Sequence, residues 1–182
     1  LELENIEYIV IHCDEKWEIE NYSRLFKKAT NLTNIKLNKF DFINFLSRLS
    51  IKKSKKIIIT TGYLNTNIVN DLKKDSRKIN PNLYEVDLNN EKCYLITNQN
   101  FFSTCHLISK SKLFISCHGA FTHIASNYNI KILDIIEKNK KNHYLRITNH
   151  MKNYNILYRK DSSYLLAEIV NYSLILSTNI II

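Results

Sequence analysis

Glycine and proline are scarce in this chain, whose 182 residues include two glycines and one proline. A dinucleotide-binding fingerprint needs three glycines at fixed spacing, and a P-loop needs a Gly-Lys-Ser/Thr ending. The chain has neither of these, and it also lacks the Gly-x-Ser-x-Gly sequence of a nucleophile elbow. These absences argue against the common nucleoside triphosphatases, Rossmann dehydrogenases and α/β-hydrolases.

Signals for secretion and membrane insertion are also missing from the sequence. There is no run of about 18 apolar residues, and the first residues form neither a basic nor an apolar leader segment. Cys13, Cys93, Cys105 and Cys117 form no Cys-x-x-Cys pair, which favours free thiols in a reducing compartment. We expect a cytoplasmic protein with at most peripheral contact at the inner membrane. Because the chain starts at Leu1 and not at Met, we also expect it to be part of a longer protein.

Positive charge is abundant, with a formal net charge of +9. Such a charge favours anionic partners, which include phosphorylated small molecules, membrane surfaces and nucleic acids. The lysines are scattered along the chain and are not gathered in one segment. We therefore interpret them as a solvated basic surface and expect no nucleic-acid partner, and a basic RNA-binding domain remains the weaker alternative.

The apolar pattern alternates between short strand-like runs and longer helical stretches. Strands are predicted at 6–11, 56–61, 83–88, 93–96, 113–116, 130–136 and 156–158. Helices are predicted at 19–30, 39–49, 66–79, 101–109, 121–128 and 162–175, and 137–152 is predicted to be a polar loop. This alternation predicts an α/β fold, a Rossmann-like parallel sheet with helices on both faces, as a single domain over residues 1–182.

One of the two glycines follows the apolar run that ends at Cys117, in the sequence His118-Gly-Ala-Phe-Thr-His123. A strand that turns sharply into a helix exposes backbone N–H groups to an anion. Gly119 and Ala120 permit close backbone approach, Thr122 supplies a hydroxyl group, and His118 and His123 can donate hydrogen bonds or move a proton. An ordinary tight turn with one buried histidine is the alternative.

Two other predicted strands also end in residues that suit a binding site. The first strand leads into His12, Asp14 and Lys16, and a later one ends at Gly62. Ligands of parallel sheets bind at the carboxyl ends of the strands, so we expect these residues to line one rim. A carboxylate and a lysine there could hold a phosphate and a proton-transfer site, although an exposed loop with a packed Trp17 explains the segment equally well.

Histidines and cysteines near this rim do not have the spacing of a metal site. Cys105-His106, Cys117-His118 and His123 fit no usual zinc pattern, and His118 and His123 lie five residues apart. We therefore predict no metal.

At these residues the chain resembles the C-terminal, nucleotide-sugar-binding domain of a GT-B glycosyltransferase. It is most similar to glycosyltransferase family 9, the heptosyltransferases, over about residues 6–136. The likeness lies in the segment 9–17 ending in Lys-Trp, the strand 57–62 ending in Gly, the motif 118–125, and the strand 129–135. The His-Gly-Ala start of the motif is also similar to glycosyltransferase family 61. Relative to family 9, His118 stands at the place of the motif aspartate.

The resemblance implies a function and a set of site residues. It implies transfer of a sugar from a nucleoside diphosphate sugar to a glycan or lipid-linked acceptor, with the N-terminal acceptor domain outside this chain and no cofactor required. Lys16, Thr122 and His123 would contact the donor diphosphate together with Gly119 and Ala120, whereas His12, Asp14 and Gly62 would line the rim. The site would use His118 for catalysis. A non-catalytic nucleotide- or phosphate-binding module of the same fold is the alternative.

Overall fold

A computed structural model describes residues 6–20, 23, 32–53 and 55–175. Its centre is one eight-stranded sheet with the order β3-β4-β5-β2-β1-β6-β7-β8. The strands are β1 Tyr8–Cys13, β2 Lys56–Thr61, β3 Arg77–Asn80, β4 Leu83–Asp87, β5 Lys92–Ile96, β6 Leu113–Cys117, β7 Lys131–Ile136 and β8 Tyr154–Tyr158. The predicted α/β class is confirmed.

Six of the strands run parallel and form a Rossmann-like arrangement. Taken in chain order, β1, β2, β5, β6, β7 and β8 occupy the positions 3-2-1-4-5-6 across the sheet. After β1, the chain adds β2 and β5 on one side of it, and then crosses back to add β6, β7 and β8 on the other side. The gap between β1 and β6 is therefore the topological switch point.

Helices cover both faces of this sheet, as the sequence predicts. Those of the described residues are α1 Lys39–Lys53, α2 Asn67–Lys74, α3 Phe101–Lys110, α4 Ala120–Ala125, α5 Lys141–Thr148 and α6 Ser162–Ile175. One core layer packs α1, α2 and α6 against Ile9, Ile11 and Cys13 of β1. The other packs α3 and α4 against Tyr8 and Val10. Successive residues of a strand point to opposite faces, so the near-continuous apolar strands fill both layers.

The predicted helix 66–79 is wrong in its second half. The helix ends at Lys74, and Arg77–Asn80 forms β3, an edge strand that pairs antiparallel with β4. β4 in turn pairs antiparallel with β5, so a hairpin extends the parallel core at one edge. All four β3 residues are exposed, and an exposed edge strand carries no alternating apolar pattern that would reveal it.

The predicted loop 137–152 is also wrong, because residues Lys141–Thr148 form α5. Its sequence is largely polar and only Thr148 is buried, which explains why no helical apolar stripe is visible. The predicted helix 19–30 falls mainly on residues outside those described. No helix within the described ranges is both long and apolar enough to cross a membrane.

Candidate functional site

The carboxyl ends of β1 and β6 lie side by side at the switch point, and we call the region between the segments that follow them the crevice. After β1 the chain enters a short 3₁₀ turn, Glu15–Trp17, whose Trp17 packs against Phe42 in the first core layer. After β6 it turns into α4 in the second layer. The two segments leave toward opposite faces, and this divergence opens the space in which Rossmann-like folds bind their ligands.

Lys16 reaches across the crevice from the β1 side to the β6 side. Its Nζ lies so close to Gly119 that a Cβ atom on this residue would overlap it. Nζ also forms an ion pair with Asp14 Oδ2 at 2.8 Å, while Asp14 Oδ1 accepts a hydrogen bond from the Lys16 backbone N–H. Burial raises the pKa of Asp14, and the Lys16 charge opposes that shift. A partly buried ammonium group therefore lies against bare backbone at the centre of the crevice.

The second glycine accommodates the neighbouring residue of the same turn. A Cβ atom on Gly62 would lie 2.6 and 2.8 Å from the carboxylate oxygens of Glu15 and 2.9 Å from Asp14 Cβ. Glu15 accepts a hydrogen bond from the Leu64 backbone N–H, which ties the β1 turn to the loop after β2. Both glycines of the chain thus provide room for consecutive charged side chains, Glu15 and Lys16.

His118 belongs to a buried hydrogen-bond network centred on Asp134. The His118 Nδ1 and Tyr154 hydroxyl lie 2.6 Å from the same Asp134 oxygen, Oδ2. Thr122 Oγ1 donates to Oδ1 at 3.4 Å and lies 3.1 Å from Ser116 Oγ. Burial, followed by the charge of Asp134, raises the pKa of Tyr154, so this hydroxyl keeps its proton and acts as a donor. A carboxylate accepts only, so the His118 proton on this side resides on Nδ1.

Two further rings, those of Tyr144 and His150, lie beside His118 and His123. The His118 ring lies 4.5 Å from that of Tyr144 on α5 and 5.1 Å from that of His123, and His150 stacks on His123 at 6.4 Å. Burial lowers the pKa of His123, and the nearby imidazoles of His118 and His150 lower it further. Within the described residues, no group of three His, Cys, Asp or Glu side chains is placed to hold a metal ion.

The helix after Gly119 supplies less to anion binding than the sequence suggests. α4 spans Ala120–Ala125, six residues, and the Gly119 N–H already donates to Thr122 Oγ1 at 3.3 Å. The dipole of so short a helix is small. Positive charge in the crevice therefore comes from side chains, first of all from Lys16.

His12 lies beneath the rim and not on its surface. It is 4% exposed, its Nδ1 is 2.9 Å from Thr60 Oγ1, and its ring packs edge-on against Phe121 at 4.8 Å. Burial and the Lys16 charge lower the pKa of His12 to about 3. A neutral, enclosed imidazole supports the crevice floor and is not positioned to touch a ligand.

A second buried charge network lies beside the crevice at the ends of β6, β7 and β8. Arg159 forms an ion pair with Glu137 Oε1 at 3.2 Å, and it donates hydrogen bonds to the Thr33 carbonyl oxygen at 3.0 Å and to Cys117 Sγ at 3.2 Å. Burial raises the pKa of Cys117 to about 12, against the opposing charge of Arg159. The thiol is therefore neutral, as expected for a structural cysteine.

The structure thus brings together five of the predicted site residues: Lys16, Asp14, Gly119, Thr122 and His118. His123 lies beside His118, Ala120 lies on the first turn of α4, and Gly62 lies on the adjoining loop. Sequence reasoning missed Asp134 and Tyr154. A signal for Asp134 was present, because a lone carboxylate within the apolar strand Lys131–Ile136 must find partners when buried. Tyr154 and Tyr144 had no such signal.

A surface cleft of about 750 Å³ lies elsewhere, along α2 and β4. It is lined by Asn67, Asn70, Asp71, Lys73, Lys74 and Tyr84. This cleft is open to solvent, whereas in the crevice the Lys16 ammonium lies against Gly119. We favour the crevice as the functional site because the buried charges and the switch point coincide there.

Comparisons with models of protein families, with curated proteins and with solved structures found no match to this chain. The resemblance to glycosyltransferase family 9 therefore stays a prediction, while the α/β class and the geometry of the crevice are observed.

Proposed function

We propose that this chain is the donor-binding domain of a glycosyltransferase, which takes a sugar from a nucleoside diphosphate sugar. The observation that carries the proposal is the position of Lys16, whose ammonium group lies against the Gly119 backbone between β1 and β6. A diphosphate in this crevice would meet the positive charge of Lys16 and a stretch of backbone without a side chain.

The chemistry of sugar transfer suits such a site. As the bond between the sugar and the diphosphate breaks, negative charge develops on the leaving group, and preorganised donors stabilise it. Lys16 and the two imidazoles of His118 and His123 are the candidate donors, whereas the predicted Thr122 hydroxyl is fully buried and already donates to Asp134. The sugar acceptor would be a glycan or a lipid-linked saccharide, bound by a part of the protein outside this chain.

Binding of nucleoside diphosphate sugars tests the proposal. We expect a panel of these compounds to raise the unfolding temperature, equivalent to about 2.7 kcal/mol at a ligand concentration 100 times the Kd. Lys16→Ala should abolish the effect. The matched control is Lys78→Ala, since Lys78 is an exposed lysine on the edge strand β3. Equal protection of the Lys16→Ala variant, or no protection of the unaltered chain by any member of the panel, would contradict the proposal.

A non-catalytic nucleotide- or phosphate-binding module is the second candidate. It is favoured by His118, which stands where the resembled family has an aspartate and whose Nδ1 is engaged by Asp134. Sugar transfer by the full-length protein separates the two functions: a transferase loses this activity on His118→Gln, whereas a module binds the nucleoside diphosphate sugar and transfers no sugar. Binding that ignores nucleotide sugars and weakens steeply with salt would instead indicate RNA.

A further inference from the structure

Asp134 is a fully buried carboxylate in the middle of a strand that is otherwise apolar. Burying an ionised carboxylate is costly unless hydrogen bonds or a positive charge compensate it. Three donors do so here: Tyr154 and His118 on Oδ2, each at 2.6 Å, and Thr122 on Oδ1. These hydrogen bonds fix the geometry of the Asp134 side chain from three sides.

The carboxylate determines which nitrogen of His118 remains for other partners. Because Nδ1–H is directed at Asp134, Nε2 lies on the opposite side of the ring from the buried network. The His118 side chain is 11% exposed, in contrast to the fully enclosed Asp134, so part of it is open to solvent. Asp134 therefore sets both the tautomer and the orientation of the imidazole.

Groups of opposite effect face His118 from each element that packs around it. The Asp134 carboxylate on β7 favours a positive imidazolium, and the Tyr144 ring on α5 lies tilted against the imidazole at 4.5 Å. The His123 ring on α4 and the Lys16 ammonium beside Gly119 disfavour a further positive charge. An anion bound between Lys16 and His118 would remove part of this repulsion, and proton binding to His118 would become more favourable.

We propose that Asp134 is a positioning residue, which presents Nε2 of His118 to a phosphate group, and that anion binding in the crevice loads a solvent proton onto Nε2. The resulting Nε2–H donates to the anion while Nδ1–H remains with Asp134. This inference rests on the proposed function to the extent that an anion must occupy the crevice, but it requires no particular sugar, base or acceptor.

The experiment follows the titration of each histidine of the full chain by NMR, in sulfate and in chloride at equal ionic strength. Sulfate is a suitable probe because it carries two charges and does not itself titrate near neutral pH. We expect sulfate to raise the titration midpoint of His118 and to make anion binding tighter as the pH falls. His106, exposed on α3, is the internal reference and should titrate identically in both salts.

Two variants move the His118 midpoint in opposite directions. Asp134→Asn should lower it by about one pH unit or more, because a neutral amide no longer favours the imidazolium. Tyr154→Phe should raise it, because the carboxylate loses one hydrogen-bond donor and its charge acts more strongly on His118. If Asp134 had a merely structural role, the two variants would not shift the His118 midpoint in opposite directions. Tyr154→Phe also keeps the test valid if Asp134→Asn does not fold.

The outcomes separate this inference from the proposed function. If sulfate moves the Gly119 amide signal but leaves the His118 midpoint unchanged, the anion site stands and the proton linkage is overturned. If neither signal responds to sulfate, the proton linkage is likewise overturned. The proposed function is then tested separately, by the thermal unfolding of the chain with nucleoside diphosphate sugars. If Asp134→Asn and Tyr154→Phe leave the His118 midpoint where it was, Asp134 is not its positioning residue.

Discussion

The amino ends and the carboxyl ends of the parallel strands, called here the amino edge and the carboxyl edge, differ in how deeply their charged side chains are buried. At the amino edge, Glu7 pairs with Lys55 and Lys112, and these groups lie in or near solvent. At the carboxyl edge, Asp134 is fully enclosed, and the Arg159–Glu137 pair is nearly so. Exposed ion pairs contribute little, whereas a buried charge is costly unless an opposite charge or hydrogen bonds compensate it. The difference indicates that the carboxyl edge is built for a specific arrangement of charges and the amino edge for solvation.

Exposed aromatic side chains follow the same division. The most exposed ones among the described residues all lie near the carboxyl edge, at the ends of strands or the starts of helices: Phe40, Tyr63, Phe101, Phe102 and Tyr164. Apolar surface left in water is most informative when it gathers in one region. Here it gathers around the edge that also holds the crevice.

The largest expected difference is between two variants, each of which removes one acidic residue, Asp134 at the carboxyl edge or Glu7 at the amino edge. Asp134→Ala leaves the donors of His118, Tyr154 and Thr122 without their acceptor, and should lower the free energy of unfolding by about 2–4 kcal/mol. Glu7→Ala at the amino edge should leave it unchanged, although the pKa of Glu7 is lowered by Lys55 and Lys112. Urea unfolding at neutral pH measures both. Similar losses for the two variants would remove the contrast between the edges.

The next effect is a pH dependence that originates at His12. The pKa of His12 is lowered to about 3 in the folded chain, so the unfolded chain binds the proton more tightly. The free energy of unfolding therefore decreases as the pH is lowered below the pKa of His12 in the unfolded chain. Between pH 6.5 and 5 this amounts to about 2 kcal/mol. His12→Asn should remove this part of the slope, whereas His106→Asn, at an exposed position on α3, should retain it. An unchanged slope in His12→Asn would show that His12 is not protected from protons.

The smallest expected effect distinguishes the two glycines. Gly62→Ala places a methyl group against the Glu15 carboxylate and Asp14 Cβ, which should cost about 1–2 kcal/mol of stability. Gly119→Ala meets only the flexible end of Lys16, so we expect a loss below about 1 kcal/mol together with weaker anion binding. Thermal unfolding with and without ligand compares them. If Gly119→Ala binds anions as the unaltered chain does, the close approach of Lys16 is not part of the site.

Much of the fold was predictable because its parallel strands are buried on both sides. Runs such as Lys56–Thr61 and Leu113–Cys117 are continuous and apolar, and they alternate with helices. The exposed strand Arg77–Asn80 and the polar helix Lys141–Thr148 were missed, because the strand buries no residue and the helix buries only Thr148, so neither shows an apolar periodicity. Propensity is a weak guide where tertiary contacts decide.

The site was predictable only where its residues follow strand ends. His118, Gly119 and Lys16 are visible in the sequence because carboxyl ends of parallel strands meet at one rim. Asp134 lies 16 residues from His118 along the chain, and Tyr154 lies two strands away on β8. Residues so far apart in the sequence form no recognisable motif. The same reasoning placed His12 at the rim, although the structure buries it under Phe121.

The glycine amides offer the most direct measurement of where a ligand binds. With only two glycines, a sample labelled with ¹⁵N-glycine gives two backbone amide signals, Gly62 and Gly119. Titration with a nucleoside diphosphate sugar that protects the chain against unfolding should move the Gly119 signal strongly and the Gly62 signal less. A Gly119 signal that stays in place while the chain is saturated with such a ligand would contradict the assignment of the crevice between β1 and β6 as the binding site.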